Sequence, residues 1–153
     1  MKRPVGNKRY VPNLKKLQTI CGRNYGLLLR MLPMEYSEGS QWQISLNHHL
    51  SYTLVVESVA PYTETMRLKQ NQLGMPQFLA TEIEFRVYHD AQMLEVLSFQ
   101  QQNRLRQKYD YPNPKLHQKD EKLQVNSLLK DWFNLVINRQ NEMTGSERLV
   151  QLS

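Results

Sequence analysis

The chain has 153 residues, a length typical of one domain, and a formal net charge of +6. A chain of this size buries roughly two-thirds of the surface that its unfolded form exposes, so it needs no disulfide or metal ion to fold. Its single cysteine, Cys21, has no partner for an intramolecular disulfide, which favours a small buried side chain over a catalytic thiol. No apolar run reaches the roughly 18 residues of a membrane-spanning helix, and no apolar signal core follows the basic start. We therefore expect a cytoplasmic protein.

The charge is unevenly distributed along the chain. Residues 1–30 contain eight Lys and Arg and no Asp or Glu, residues 31–98 three basic and eight acidic side chains, and residues 99–153 nine basic and six acidic. A basic start can bind an acidic protein partner or neutralise the phosphates of a nucleic acid, which releases counterions. The same cations also serve solubility alone, and no recognised nucleic-acid-binding motif is present. Residues 1–12 are predicted to be a flexible basic arm.

An amphipathic helix is predicted after this arm. Apolar residues recur at helical spacing over residues 14–32. The opposite face is basic, with Lys15, Lys16, Arg23 and Arg30. Asn13 is expected to cap the start of the helix. Pro33 is expected to end it, because proline disfavours helical geometry in the residue before it.

Five strands are predicted in the middle of the chain. Each alternates apolar or β-branched residues with polar ones, and turn-forming residues separate the strands. They cover residues 41–46, 50–59, 62–69, 82–87 and 93–99. A tight turn is expected between the last two, formed by His89, Asp90, Ala91 and Gln92. This pattern predicts an antiparallel meander.

A long second helix is predicted towards the C-terminus. Asn113 followed by Pro114 is a favourable helix start. The apolar stripe that follows steps by three and four residues: Val125, Leu128, Leu129, Trp132, Phe133 and Val136. The predicted fold is therefore α+β, one domain over residues 1–153, with an antiparallel sheet of about five strands flanked by the two helices. Residues 145–153 are expected to be frayed or to form a short turn.

Several motifs of this chain resemble those of a known family. They are Val87-Tyr88-His89-Asp90-Ala91, Tyr109-Asp110-Tyr111-Pro112-Asn113, Lys115-Leu116-His117-Gln118, Asp120-Glu121-Lys122 and Asp131-Trp132, together with Gln124 and Asn126. With these motifs the chain resembles, over nearly its whole length, the proteobacterial YqiB-like family, a domain of unknown function. The resemblance implies no established activity, substrate or cofactor, and so no catalytic residue.

Polar residues of the second half of the chain form the candidate functional surface. Its members are His89, Asp90, Tyr109, Asp110, Tyr111, Lys115, His117, Asp120 and Glu121. On the predicted second helix, His117 shares a face with Asp120 and Glu121. With His89 and Asp90 these side chains are a candidate metal or acid–base site for a small enzyme. The chain has no nucleophile elbow, glycine-rich phosphate loop or Ser-His-Asp signature.

A structural interpretation of the same residues is also open. The tyrosines can pack at the entry to the helix, Asp110 can bond turn amides, and Gln124 and Asn126 can belong to a solvated network. The dense polar residues 115–122 favour a face that contacts a partner. We therefore expect a non-catalytic binding or regulatory module that acts on a protein partner through this segment and the basic first helix. Nucleic-acid binding and catalysis are the alternatives, and the cofactor, the partner's identity and the oligomeric state stay open.

Overall fold

The protein has an α+β architecture in a computed structural model that describes residues 11–74, 80–101, 119–141 and 150–152. In chain order its elements are helix α1 (Val11–Met31), strands β1 (Gln41–Ser45), β2 (Leu50–Val59), β3 (Thr63–Gln72), β4 (Thr81–Tyr88) and β5 (Met93–Gln101), helix α2 (Lys119–Asn141) and strand β6 (Val150–Leu152). This confirms the predicted fold class, with an N-terminal helix, an antiparallel meander and a long C-terminal helix. The predicted helix start at Asn113 and Pro114 lies outside the described residues. None of the described helices is long and apolar enough to cross a membrane.

The strands form one antiparallel sheet in the order β5-β4-β3-β2-β1-β6. The first five are neighbours in chain order, as the alternating pattern predicts. Strand β6 is a correction, because Val150–Leu152 pairs with β1 in a tail that was expected to be frayed or turned. Three residues are too short for an alternating pattern to be recognised, so the pairing depends on the exposed edge of β1 and not on a local signal.

One face of the sheet packs against both helices and forms the core. Strand register brings apolar side chains together on this face, with Trp42 opposite Leu54, Leu54 opposite Leu68, and Met66 opposite Phe85. The helices complete the core with Leu28, Met31, Val125, Leu129, Phe133, Val136 and Ile137. Both helices therefore lie on the same side of the sheet.

The helix boundaries and stripes depart from prediction in two places. Helix α1 begins at Val11, so Asn13 lies inside the helix and is not its N-cap. The early start costs no hydrogen bond at Pro12, because the first-turn N–H groups of a helix have no partner within it. In α2, Leu128 is 49% exposed, whereas Ile137 is buried. The stripe that packs on the core is therefore displaced around the helix from the one that the sequence pattern suggested.

The outer face of the sheet carries charged side chains of both signs from the middle segment. There the guanidinium of Arg67 forms ion pairs with the carboxylates of Glu57, Glu82 and Glu84. The basic side chains of α1 belong to the helix layer, on the other side of the sheet. Lys69 and Arg86 share the strand phase of Arg67 and Glu84, so the carboxylates of the outer face lie among cations of the same segment.

Candidate functional site

The buried carboxylate of Glu64 is the centre of a polar cluster on the helix side of the sheet. Glu64 lies opposite Val87, and its side chain is only 6% exposed. The Tyr36 hydroxyl donates a hydrogen bond to Oε1 of Glu64 at 2.8 Å, and Nε2 of His89 lies 2.5 Å from the same oxygen. A carboxylate this shielded from water needs such donors, because an unpaired buried charge is strongly unfavourable.

His89 connects this carboxylate to helix α1. Its Nδ1 lies 3.0 Å from the hydroxyl oxygen of Tyr25, and the two rings meet edge to face with centroids 5.7 Å apart. Because Nε2 faces a carboxylate, we assign the proton of the neutral ring to Nε2, so that Nδ1 accepts from the Tyr25 hydroxyl. Tyr25, His89, Glu64 and Tyr36 thus form one continuous chain of hydrogen bonds, called the Glu64 cluster below.

The β4–β5 turn positions His89 in this cluster. The N–H of His89 donates to the carbonyl of Tyr62 at 2.8 Å, and Oδ1 of Asp90 accepts from the N–H of Ala91 at 2.9 Å. Gln92 closes the turn with φ of 54°. The predicted tight turn is therefore present. Asp90 serves the turn, and the carboxylate beside His89 is Glu64.

The Glu64 cluster can act in two ways. His89 is 32% exposed, so a proton can pass along the chain between solvent and the shielded Glu64 carboxylate. The cluster also fastens α1 to the sheet, because Tyr25 belongs to the helix and Glu64 to β3. Sequence reasoning found His89 and missed the other three members. A signal for Glu64 was present, since it shares the strand phase of Met66 and Leu68, whose positions face the core.

Much of the sequence-predicted surface lies outside the described residues. This applies to Tyr109, Asp110, Tyr111, Lys115 and His117. Asp120 lies in the first turn of α2, followed by the half-buried Glu121. In the described part of the chain, no group of three or more His, Cys, Asp or Glu side chains is placed to hold a metal ion. A site that joins His117 and Glu121 to His89 therefore stays a prediction, and both ring nitrogens of His89 already have partners.

Asn126 is a second buried polar centre and not part of a solvated network. Its Oδ1 accepts from the N–H of Val96 at 3.1 Å and lies 3.9 Å from Sγ of Cys21. Its Nδ2 donates to the carbonyl of Lys122 at 2.7 Å, and its own carbonyl accepts from the side-chain amide of Asn24 at 3.0 Å. Asn126 thereby links both helices to the edge strand β5.

Cys21 lies in this interface and is buried, as the sequence predicted. Burial and, to a lesser extent, the negative charge of Glu95 raise the pKa of the thiol to about 11. The thiol therefore stays protonated near neutral pH, and a thiol that is protonated and buried is a poor nucleophile.

The exposed side of α1 forms a basic surface, called the basic helix face below. Lys15, Lys16, Arg23 and Arg30 are all exposed, and the helix contains no acidic residue. Lys16, Arg23 and Arg30 recur every seven residues, so they follow one side of the helix at steps of about 10 Å. In the part of the chain that the structure describes, the ion pairs are formed by Arg67, His89 and Lys122, and none is formed by a cation of α1. With respect to the described residues, the basic helix face can therefore meet an external anion.

The bond between Tyr36 and Glu64 predicts how stability changes at high pH. Burial, and then the hydrogen bond to Glu64, raise the pKa of Tyr36 above its ordinary value. The folded protein therefore holds the phenolic proton more tightly than the unfolded chain does. The stability that this provides is complete below about pH 10 and is lost as the pH rises further. We expect Tyr36→Phe to lower the free energy of unfolding by about 1 kcal/mol near neutral pH. When the pH rises above about 10, this variant should lose less unfolding free energy than the wild type does.

Urea unfolding near neutral pH and at about pH 10.5 measures this difference. Tyr62→Phe is the matched control, because Tyr62 is exposed. Cys21 titrates in the same alkaline range in all three proteins, so its effect cancels in the comparison. Equal alkaline losses in Tyr36→Phe and the wild type would contradict the prediction.

Comparisons with known proteins give the chain a family. The family model described as "Protein of unknown function (DUF1249)" matches residues 27–142. The "Uncharacterized protein YqiB" of Escherichia coli strain K12 is 35% identical over 128 residues, which cover 82% of this chain and 89% of that protein. The protein of the same name from strain O157:H7 matches to the same extent. No solved structure matches significantly. The chain therefore belongs to the DUF1249 family, to which the motifs around His89 and Tyr109 had pointed.

Proposed function

We propose that the chain is a non-catalytic binding module whose basic helix face contacts an acidic surface of a protein partner. The observation that carries this proposal is the exposure of four cations on α1, in a helix without any carboxylate. Within the described residues these cations have no ion-pair partner, and unpaired cations attract an acidic surface more strongly than paired ones, which raises the association rate. Residues 115–122 are proposed as a second contact, and the cytoplasm as the location.

Exposed apolar side chains favour a protein partner over a nucleic acid. Leu14 and Leu29 on α1, and Leu128 and Leu135 on α2, are each about half exposed. Exposed apolar surface on the two helices suits a protein interface, to which apolar and charged atoms both contribute, whereas a phosphate backbone offers no apolar contact. The one aromatic ring of α1, Tyr25, is already bonded to His89 and is therefore not available to stack on a base.

Charge reversal on α1 tests the proposal. Arg30 and Arg139 each provide the basic residue in the last turn of their helix, and both are exposed. Arg30→Glu and Arg139→Glu therefore carry the same charge change and a similar cost to the helix dipole. We expect Arg30→Glu to weaken partner binding by about fivefold. The double variant with Arg23→Glu and Arg30→Glu should weaken it by more than tenfold. Arg139→Glu should leave binding nearly unchanged.

Retention of partners from a nuclease-treated cell extract is the measurement, followed by affinity for the purified partner at two salt concentrations. Circular dichroism shows whether each variant is folded. An acidic protein held by the wild type and by Arg139→Glu, and released by the α1 variants, supports the proposal. Equal retention by all variants contradicts it. An untreated extract provides the comparison. Retention that occurs only in the untreated extract, and that is restored by added duplex or single-stranded DNA, would favour the nucleic-acid alternative.

A further inference from the structure

A polar cleft lies at the end of the sheet where the β1–β2 and β3–β4 hairpins turn. Its volume is about 320 Å³, and its lining includes Gln43, His48, His49, Ser51 and Asn71. The N–H of Leu73 donates to the carbonyl of His49 at 2.8 Å, so the ends of the two hairpins are joined beside the cleft. Paired strands and this bond hold the walls in place. The cleft is separate from both the Glu64 cluster and the basic helix face.

Hydrogen bonds already orient the amide side chains that line the cleft. Nε2 of Gln43 donates to Oγ of Ser51 at 3.3 Å, and Nδ2 of Asn71 donates to Oγ1 of Thr53 at 2.8 Å. Each carboxamide has two N–H donors and a carbonyl oxygen that can accept two hydrogen bonds. One bond therefore fixes each group and leaves most of its capacity for a ligand.

The β1–β2 loop is fixed in a similar way. Oδ1 of Asn47 accepts from the N–H groups of both His49 and Leu50, at 2.8 and 2.9 Å. This arrangement holds the loop against the cleft and places two adjacent imidazoles at its edge. Imidazoles both donate and accept hydrogen bonds near neutral pH.

The lining also limits the chemistry of the ligand. Among the described residues of the lining there is no Asp, Glu, Lys or Arg to supply a counter-charge to an ionic ligand. The described residues of the lining include no Phe, Tyr or Trp, so none of them offers a flat heteroaromatic base a ring to stack on. What remains is a dense set of amide, hydroxyl and imidazole groups. Alternating donors and acceptors of this kind match the adjacent hydroxyl groups of a sugar.

We propose that this cleft binds an uncharged polyhydroxylated molecule of one or two sugar units. The volume is at the small end of the range for ligand sites, roughly 300–1,000 Å³, and fits a ligand of this size. The carboxamides of Gln43 and Asn71 bond the sugar hydroxyls from the strands, and the imidazole of His49 bonds them from the loop. The proposal does not depend on the function proposed for α1.

Amide NMR titration with maltose and with N-acetylglucosamine tests the proposal, with glucose 6-phosphate as a charged counterpart. We expect saturable shifts confined to the cleft, including the side-chain amides of Gln43 and Asn71, with one of the two neutral sugars. Asn71→Ala should weaken this binding by about tenfold. Asn138→Ala, an exposed position on α2, is the control and should leave it unchanged.

Three results of the sugar titration with the wild type would overturn the proposal. They are the absence of saturable shifts with both neutral sugars, shifts centred away from the cleft, and tighter binding of glucose 6-phosphate than of either neutral sugar. Thermal unfolding shows whether Asn71→Ala is folded. If it is not, Gln43→Ala takes its place, because Gln43 lies on the outer face of β1, and unchanged affinity in that variant also overturns the proposal.

Discussion

Replacement of Phe133 by alanine is expected to lower the free energy of unfolding by about 3–5 kcal/mol. Phe133 is fully buried in the middle of α2. Its ring meets Phe85 of β4 edge to face, with centroids 6.2 Å apart, and meets the neighbouring Trp132 at 5.7 Å. The change removes apolar contact and leaves a cavity, which a sheet held by β3 and β5 on either side of β4 cannot close.

Leu135→Ala is the matched control, because Leu135 lies two residues further along the same helix and is about half exposed. This variant should lose no more than about 1 kcal/mol of unfolding free energy, since little apolar surface is removed from the interior. Urea unfolding of the two variants and the wild type, followed by far-ultraviolet circular dichroism, gives the comparison. Similar losses in Phe133→Ala and Leu135→Ala would show that α2 is not packed on the sheet as described.

The core around Phe133 could be predicted because it depends on local periodicity. Strands such as β4 show a clear alternation, and steps of three and four place Leu129 and Phe133 on one helix face. Periodicity identifies the middle of an apolar stripe more reliably than its edges. Leu128 was therefore assigned to the core although it lies at the edge of the stripe, about half exposed.

The Glu64 cluster could not be predicted in the same way, because its members are far apart in the chain. Asp90, the neighbour of His89 in sequence, was the natural candidate for its partner. In the fold, antiparallel pairing of β3 with β4 brings Glu64 next to His89, and packing of α1 adds Tyr25. These contacts depend on strand register and helix placement, which no local pattern contains. The phase of Glu64 within β3 was the one local sign of an internal carboxylate.

The basic helix face and the charged outer face of the sheet follow more directly from the sequence. An amphipathic helix that contains cations and no acids must expose them, because its apolar face is used for packing. Alternation in the acidic middle segment likewise places carboxylates such as Glu57 and Glu84 on the outer face of the sheet, where they surround Arg67. The basic helix face was thus predictable as a surface. Its partner was not, since charge alone does not distinguish an acidic protein from a nucleic acid.

Asn126→Ala is expected to destabilise the fold by about 2–4 kcal/mol, although it removes only a few atoms. The loss has an electrostatic origin, since the change leaves the N–H of Val96 without its side-chain acceptor in a buried interface. It also removes the bond from Nδ2 to the carbonyl of Lys122 and the contact with the Cys21 thiol.

Asn126→Leu separates this cause from simple loss of volume. Leucine fills the space but accepts no hydrogen bond, so a variant as unstable as Asn126→Ala shows that the missing acceptor dominates. Gln124→Ala, at an exposed position two residues before Asn126, should change stability by less than about 0.5 kcal/mol. Amide hydrogen exchange of Val96 gives an independent reading, because loss of the acceptor should speed its exchange in both Asn126 variants. Unchanged protection of Val96, together with full stability of Asn126→Leu, would mean that α2 is joined to β5 by apolar packing alone.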